Sequence, residues 1–487
     1  MSVRRRLVGA LAALCLAATA QAKSAAIKEP LPHLNVAQAQ VQSQVAPISA
    51  PVNADGARGG SVQQLPLDGL KAEKLTVDGK TGWKVHIPGN RALATPAVIG
   101  GTVYVGGGFG SNEFYAFDAA TGKARWAIRV SDDGPTAAVV SDGRVVFNTE
   151  SCTLFVVDAE TGKEVWSRWL GDPLMSQPAV HDGVVYMAYP GEGGHRLIAL
   201  ALKDGKAKWS VPIAGDIITA PVIDGDSVYL STNDGTVYRY KTADGKQVWS
   251  KAMHATSAPW IASDGVHVSQ GEVSGNAREE GYRTLAQDGS FKGGVQGKRG
   301  ADWLDSNVQS HSGYAAKQKA DDSSVGFSTA PATAQTGEAA ANLGQGNVRG
   351  LWEFQGSRPT IIDGNNYSTQ GDRVRALDSY GVLEWEKKLV GDVRQVGGAL
   401  GAPPAYAAGK LVVATTSGDV VGYDAKGGNE LFRYKIGEEL RFQPALSGGR
   451  IFLGTASGTL VAIDTQDKGI DHWTMWGGGA KHNGSEN

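Results

Sequence analysis

The residues best suited to chemistry in this sequence are one cysteine and a scatter of histidines and acids. Cys152 sits in "NTESCTLFVVDAETGKEVW", where two parallel stretches, "STNDGTVYRYKTADGKQVW" and "GTASGTLVAIDTQDKGIDHW", carry Gly235 and Gly458. A thiol in a partly exposed turn would suit a partner, a soft metal or an oxidant. The alternative is a turn that tolerates any small side chain. The nine histidines (33, 86, 181, 195, 254, 267, 311, 472 and 482) show no H-x-H, H-E-x-x-H or C-x-x-C-H spacing, so no zinc or c-type haem motif is readable. "VGGGFGSN" lacks the Lys-Ser/Thr pair and helix start of a phosphate loop and reads as a turn. The serines have no nucleophile elbow, and Asp132–Asp133 and Asp321–Asp322 read as solvated loop charges.

The first 22 residues, "MSVRRRLVGALAALCLAATAQA", have the layout of an export signal: three arginines, a short apolar core and an A-x-A ending at Ala22. Leu14 before Cys15 departs from a lipid-attachment pattern, so an exported periplasmic or secreted protein without a lipid anchor is expected. No apolar run reaches the ~20 residues that would span a membrane. Removing Arg4, Arg5 and Arg6 takes the formal charge from -2 to about -5, which disfavours nucleic acid as a partner. It also removes Cys15, so Cys152 has no internal disulfide partner. Residues 23–66, rich in Ala, Gln, Val, Pro and Ser, read as a flexible leader.

From Leu67 the chain repeats. Units such as "TPAVIGGTVYVGGGFGSNEFYAFDAATGKARW" and "TAPVIDGDSVYLSTNDGTVYRYKTADGKQVW" close on an aromatic: Trp83, Trp126, Trp166, Trp209, Trp249, Phe291, Trp385, Phe432 and Trp473. A period of about forty residues with four short strands per unit predicts a propeller blade. The expected fold is all-β, an eight-bladed β-propeller of four-stranded antiparallel blades over 67–476. An N-terminal strand in "GWKVHI" completes the last blade, and the tail 477–487 ends near that seam. Alternating pairs such as Val103/Val105 and Val228/Leu230 predict half-buried strands. The nine aromatics are expected to dock each blade on its neighbour, with Trp209→Ala costing roughly 3–5 kcal/mol. Residues at about 300–350 lack every repeat element and read as an insertion.

Naming the four strands of a blade A to D from the axis outward, the B–C turns and D–A connections share one rim. That rim collects the irregular features: Cys152, the insertion, "WLGDPLMSQP" and "WEFQGSRP". Gln177, Arg358 and Gln443 are expected near the channel mouth, with Trp169, Met175, Trp303 and Trp352 as further anchors for a partner.

The recurring x-P-A-V-x-x-G-x-V-Y-V-G…L-x-A-L-D-A-x-T-G-K-x-x-W unit resembles the repeat of the pyrroloquinoline-quinone-type propeller superfamily. That resemblance implies one of two functions. Quinone-dependent alcohol dehydrogenases hold their cofactor between a tryptophan and a disulfide of adjacent cysteines, with Ca²⁺ beside it; this chain cannot form that disulfide. The chain is more similar to BamB-type outer-membrane assembly proteins, which implies a non-catalytic scaffold with no cofactor and a protein partner in the cell envelope. A monomer is expected. The alternative is an oxidoreductase using pyrroloquinoline quinone and Ca²⁺, or a metal, at the channel mouth.

Overall fold

The computed structural model describes residues 59–171, 176–191, 194–215, 219–232, 234–274, 277–295, 356–393 and 399–484. They form eight antiparallel sheets, six four-stranded and two five-stranded, in a closed ring. Blades 1 to 8 have their innermost strands at Ala97–Ile99, Val139–Ser141, Ala179–His181, Val222–Asp224, Trp260–Ala262, Thr360–Ile362, Ala405–Ala407 and Ala445–Ser447. Blade 6 follows residues 296–355, so the long gap holds one blade and the insertion, which lies outside the described residues.

The ring closes as the repeat predicts. Strand Lys80–His86, carrying Trp83, pairs antiparallel with Thr459–Asp464 and supplies the fourth strand of blade 8. Strand Ala72–Val77 adds a fifth beyond it. One boundary differs from the sequence reading. Val62–Gln64, inside the expected leader, pairs with Arg129 and its neighbours as an outer fifth strand of blade 1. Three residues carry too little periodicity to stand out from a Gln-rich leader.

The half-buried expectation for the second strands also changes. Thr102–Gly106 and Ser227–Ser231 are buried at every position. A blade has a neighbour on both faces, so polar alternation is not required there.

Six indoles lock successive blades in one geometry. Trp83, Trp126, Trp166, Trp209, Trp249 and Trp385 each donate Nε1–H to a carbonyl in the C–D turn of the next blade: Ala119, Ala159, Leu202, Thr242, Gln287 and Ala425, at 2.7–3.1 Å. The turn glycine lies under the ring. At Gly162, φ is +66° and an added Cβ would sit 2.8 Å from the Trp126 ring, so this position needs glycine twice over. Burying such a ring stabilises by about 1.5–3 kcal/mol, and its hydrogen bond adds about 1.

Three of the nine aromatics do not follow this geometry. Phe291 of blade 5 is 60% exposed and lies against Arg283 of its own blade, 5.2 Å from ring centroid to guanidinium. Phe432 stacks on Tyr434 at 4.8 Å; like Phe291, it has no N–H to donate. Trp473 is not in a blade at all. The docking position of blade 8 belongs to Trp83, and Trp473 lies on the axis, stacked on Trp260 with centroids 6.0 Å apart.

Candidate functional site

The mouth of the channel is built where the D–A connections turn into the innermost strands, each marked by a proline. Hydroxyl and amide side chains around these prolines and at the end of a second strand bond across to the neighbouring blade. Ser176 Oγ donates to Thr219 O, Ser231 Oγ to Ser257 O, Ser357 Oγ to Pro259 O and Thr360 Oγ1 to Pro404 O, at 2.7–3.1 Å. Gln443 Nε2 donates to Pro404 O, and Thr95 Oγ1 to Gln443 O. This inner belt links the seams from blade 3 round to blade 1, including the two seams, 5–6 and 7–8, that lack an indole.

Gln177 and Gln443, each just before the proline that leads into blades 3 and 8, are both buried, and Gln443 is a member of this belt. Arg358 is half-buried beside Pro359. Trp169 ends its strand and is 44% exposed. Met175, Trp303 and Trp352 lie outside the described residues.

Cys152 is a correction. It lies in the predicted B–C turn but has 0% exposure, packed in a core with Leu154, Phe155 and Val156. Its φ of +56° matches the left-handed backbone of Gly235, Gly418 and Gly458. All four donate N–H to a threonine carbonyl three residues back: Thr149, Thr232, Thr415 and Thr455. The turn demands that backbone everywhere, yet the space beside it differs. A Cβ on Gly235 would meet His254 Cα at 2.4 Å, because Met253 and Ala255 both donate back to the Gly235 carbonyl. In blade 2 Leu170 N–H donates to the Cys152 carbonyl at 2.9 Å, and the side chain enters the core. Burial, with Asp132 nearby, pushes the thiol pKa well up, so it stays protonated. It is not a partner-binding or redox group on this face.

Two features escaped the sequence reading. One is a cleft of ≈ 430 Å³ on the same rim, lined by Arg91, Gly110, Ser111, Asn112, Glu113 and Arg129. Arg129 pairs with Glu113 at 2.7 Å there. The other is the C-terminal tail. Expected to stop near the closing seam, it begins there and then crosses the axis. Leu446, Val98, Val180 and Ile223 donate N–H to the carbonyls of Trp473, Thr474, Ala480 and Lys481, at 2.7–3.0 Å. Trp476 packs against Ala92, Ala94, Ala137 and Phe442. A glycine-rich tail has no strand period, and most of the blades it meets are hundreds of residues away, so no local signal marked it.

This filling decides the cofactor question. A planar quinone needs free axial space, a metal ligand set and, in the dehydrogenases, paired cysteines. Here the axis holds the tail. Gln443 spends its amide on Pro404 O and, through Oε1, on Gly477 N–H at 2.8 Å. The single thiol of the described residues is buried. The residues do not fit that cofactor.

Eight blades, six of their seams docked by an indole, closed by an N-terminal strand define a β-propeller of the quinoprotein-repeat class. The family model described as "Outer membrane protein assembly factor BamB" matches residues 72–174, 153–370 and 370–483, and the chain belongs to that family. A curated BamB of Nitrosomonas eutropha is 25% identical over 232 residues, covering 43% of this chain and 54% of that one. The chain thus spans about half the length of such relatives. The crystal structure of BamB from Moraxella catarrhalis superposes with a TM-score of 0.50 at 12% identity, over 81% of this chain and all of that one. Quinohemoprotein alcohol dehydrogenase from Comamonas testosteroni gives 0.52 at 14% identity, over 82% and 77%. At these identities the superpositions describe the fold alone. No helix among the described residues is long and apolar enough to cross a membrane.

Proposed function

We propose that the chain is a non-catalytic scaffold of the cell envelope that binds a protein partner through its B–C/D–A rim and serves outer-membrane protein assembly. The observation that carries this reading is the family match, which runs through all eight blades from residue 72 to 483. The geometry supports it. Two belts of inter-blade bonds make the ring a rigid frame, and irregular loops on a rigid frame are where recognition is built. On this reading the export signal at residues 1–22 delivers the chain to the periplasm. Trp169 and the insertion around Trp303 and Trp352 supply the contact.

Affinity capture from the native envelope tests the proposal. The full chain should retain outer-membrane assembly components, and a variant lacking residues 302–349 should melt normally and lose them. Equal capture by the deletion variant removes the insertion from the contact. No envelope protein captured by either chain overturns the scaffold. Addition of pyrroloquinoline quinone and Ca²⁺ should leave the melting temperature unchanged; a rise of several degrees would favour an oxidoreductase.

A further inference from the structure

The last residues of the chain are held by equivalent atoms of different blades. Five of the innermost strands present to the axis the amide two residues after a proline: Leu446, Val98, Val180, Ile223 and Ile261, in blades 8, 1, 3, 4 and 5. The first four meet, in chain order, the carbonyls of Trp473, Thr474, Ala480 and Lys481. The fifth meets Asn483, whose Oδ1 accepts Ile261 N–H at 2.8 Å while its Nδ2 donates to Ile261 O at 2.9 Å, so the side-chain amide stands in for a strand. Trp473 N–H also returns a bond to Leu446 O at 3.1 Å. This is strand addition at sheet edges, distributed round a ring.

Side chains fix the register. Trp473 stacks on Trp260 with the planes 9° apart. Trp476 fills the mouth above Gly356, where an added Cβ would come within 1.6 Å of the indole nitrogen. His482 is buried, with Nε2 at 2.8 Å from Pro178 O and Nδ1 at 3.0 Å from Trp476 O. Gly477 and Gly478, at φ +69° and +95°, let the segment double back within the channel, with Gly484 N–H donating to Gly477 O.

We infer that the inner edge of the ring is a binding groove for a glycine-rich peptide that turns back on itself, occupied in cis by residues 473–484, and that the ring accepts the same peptide from a separate chain. Every contact is non-covalent, and the bond to blade 8 acts as a tether. A short tether gives an effective concentration of about millimolar, so the attached segment excludes a free one of equal intrinsic affinity.

The test uses the full chain, folded before it is cut. A site-specific protease sequence inserted after Gln466, which is exposed in the loop leading to the tail, allows cleavage of the native protein. The tail should remain with the ring through gel filtration. A fluorescent peptide of residues 473–484 should then exchange into the cleaved ring and not into the uncut protein. Peptides with Trp476→Ala or His482→Ala should bind at least tenfold more weakly. Release of the cut tail with no change in melting temperature would overturn the groove. So would equal labelling of cut and uncut protein.

Discussion

Cys152 shows how a residue type misleads when backbone and burial are read separately. Its position demands a left-handed conformation, at a cost of about 1–2 kcal/mol for a side chain, and the core returns that cost through burial. The thiol is protonated and enclosed, so it reacts only when the blade opens. We expect an aromatic disulfide reagent to label it at the rate of unfolding, with rapid labelling in buffer showing an open turn. Cys152→Ser should cost about 1–3 kcal/mol by placing a hydroxyl among apolar side chains, read from denaturant midpoints. The turn acids behave differently. Arg125 and Thr121 hold Asp118 at about 2, but it is so exposed that solvent screens most of the gain.

Among the elements, the tail carries a buried histidine whose titration is tied to its docking. Burial holds the His482 imidazole below its ordinary pKa of 6.5, outweighing the two carbonyls beside it, so the neutral ring donates to one of them. The unfolded chain binds the proton more readily. Stability from this group is therefore complete above about pH 6.5 and falls as the pH drops below it. The melting temperature should decrease between pH 7.5 and 5.5, and His482→Gln should remove that component of the slope. An unchanged slope in the variant would place the proton elsewhere. The blades themselves were legible, because the units repeat four short strands and a closing aromatic at similar offsets. The pairing of "GWKVHI" with the last blade followed from the need to close a sheet edge. The candidate site was legible in part. Strand order places Gln177 and Gln443 just before the innermost strands of blades 3 and 8, whereas their burial depends on neighbours in other blades. Trp473 kept the forty-residue spacing and still left the ring wall, since spacing along the chain does not say which strand a residue ends on.

At the scale of the molecule, the ring is not uniformly fastened. Among the described residues, seams 5–6 and 7–8 have the inner polar links but no indole bond, while seams 8–1, 3–4, 4–5 and 6–7 have both. Trp126→Ala at seam 1–2 should cost about 3–5 kcal/mol, and Phe291→Ala at seam 5–6 less than about 1. Thermal or chemical unfolding compares them directly, and equal losses would refute the unequal fastening. The closing strand has a consequence for how the chain is made. Lys80–His86 is synthesised early, but its partner Thr459–Asp464 appears more than 370 residues later. Until then its backbone donors face solvent as a sticky edge, and all other blades exist only as an open arc. Folding of this protein therefore includes a waiting period, during which that edge is an aggregation hazard until its partner strand arrives.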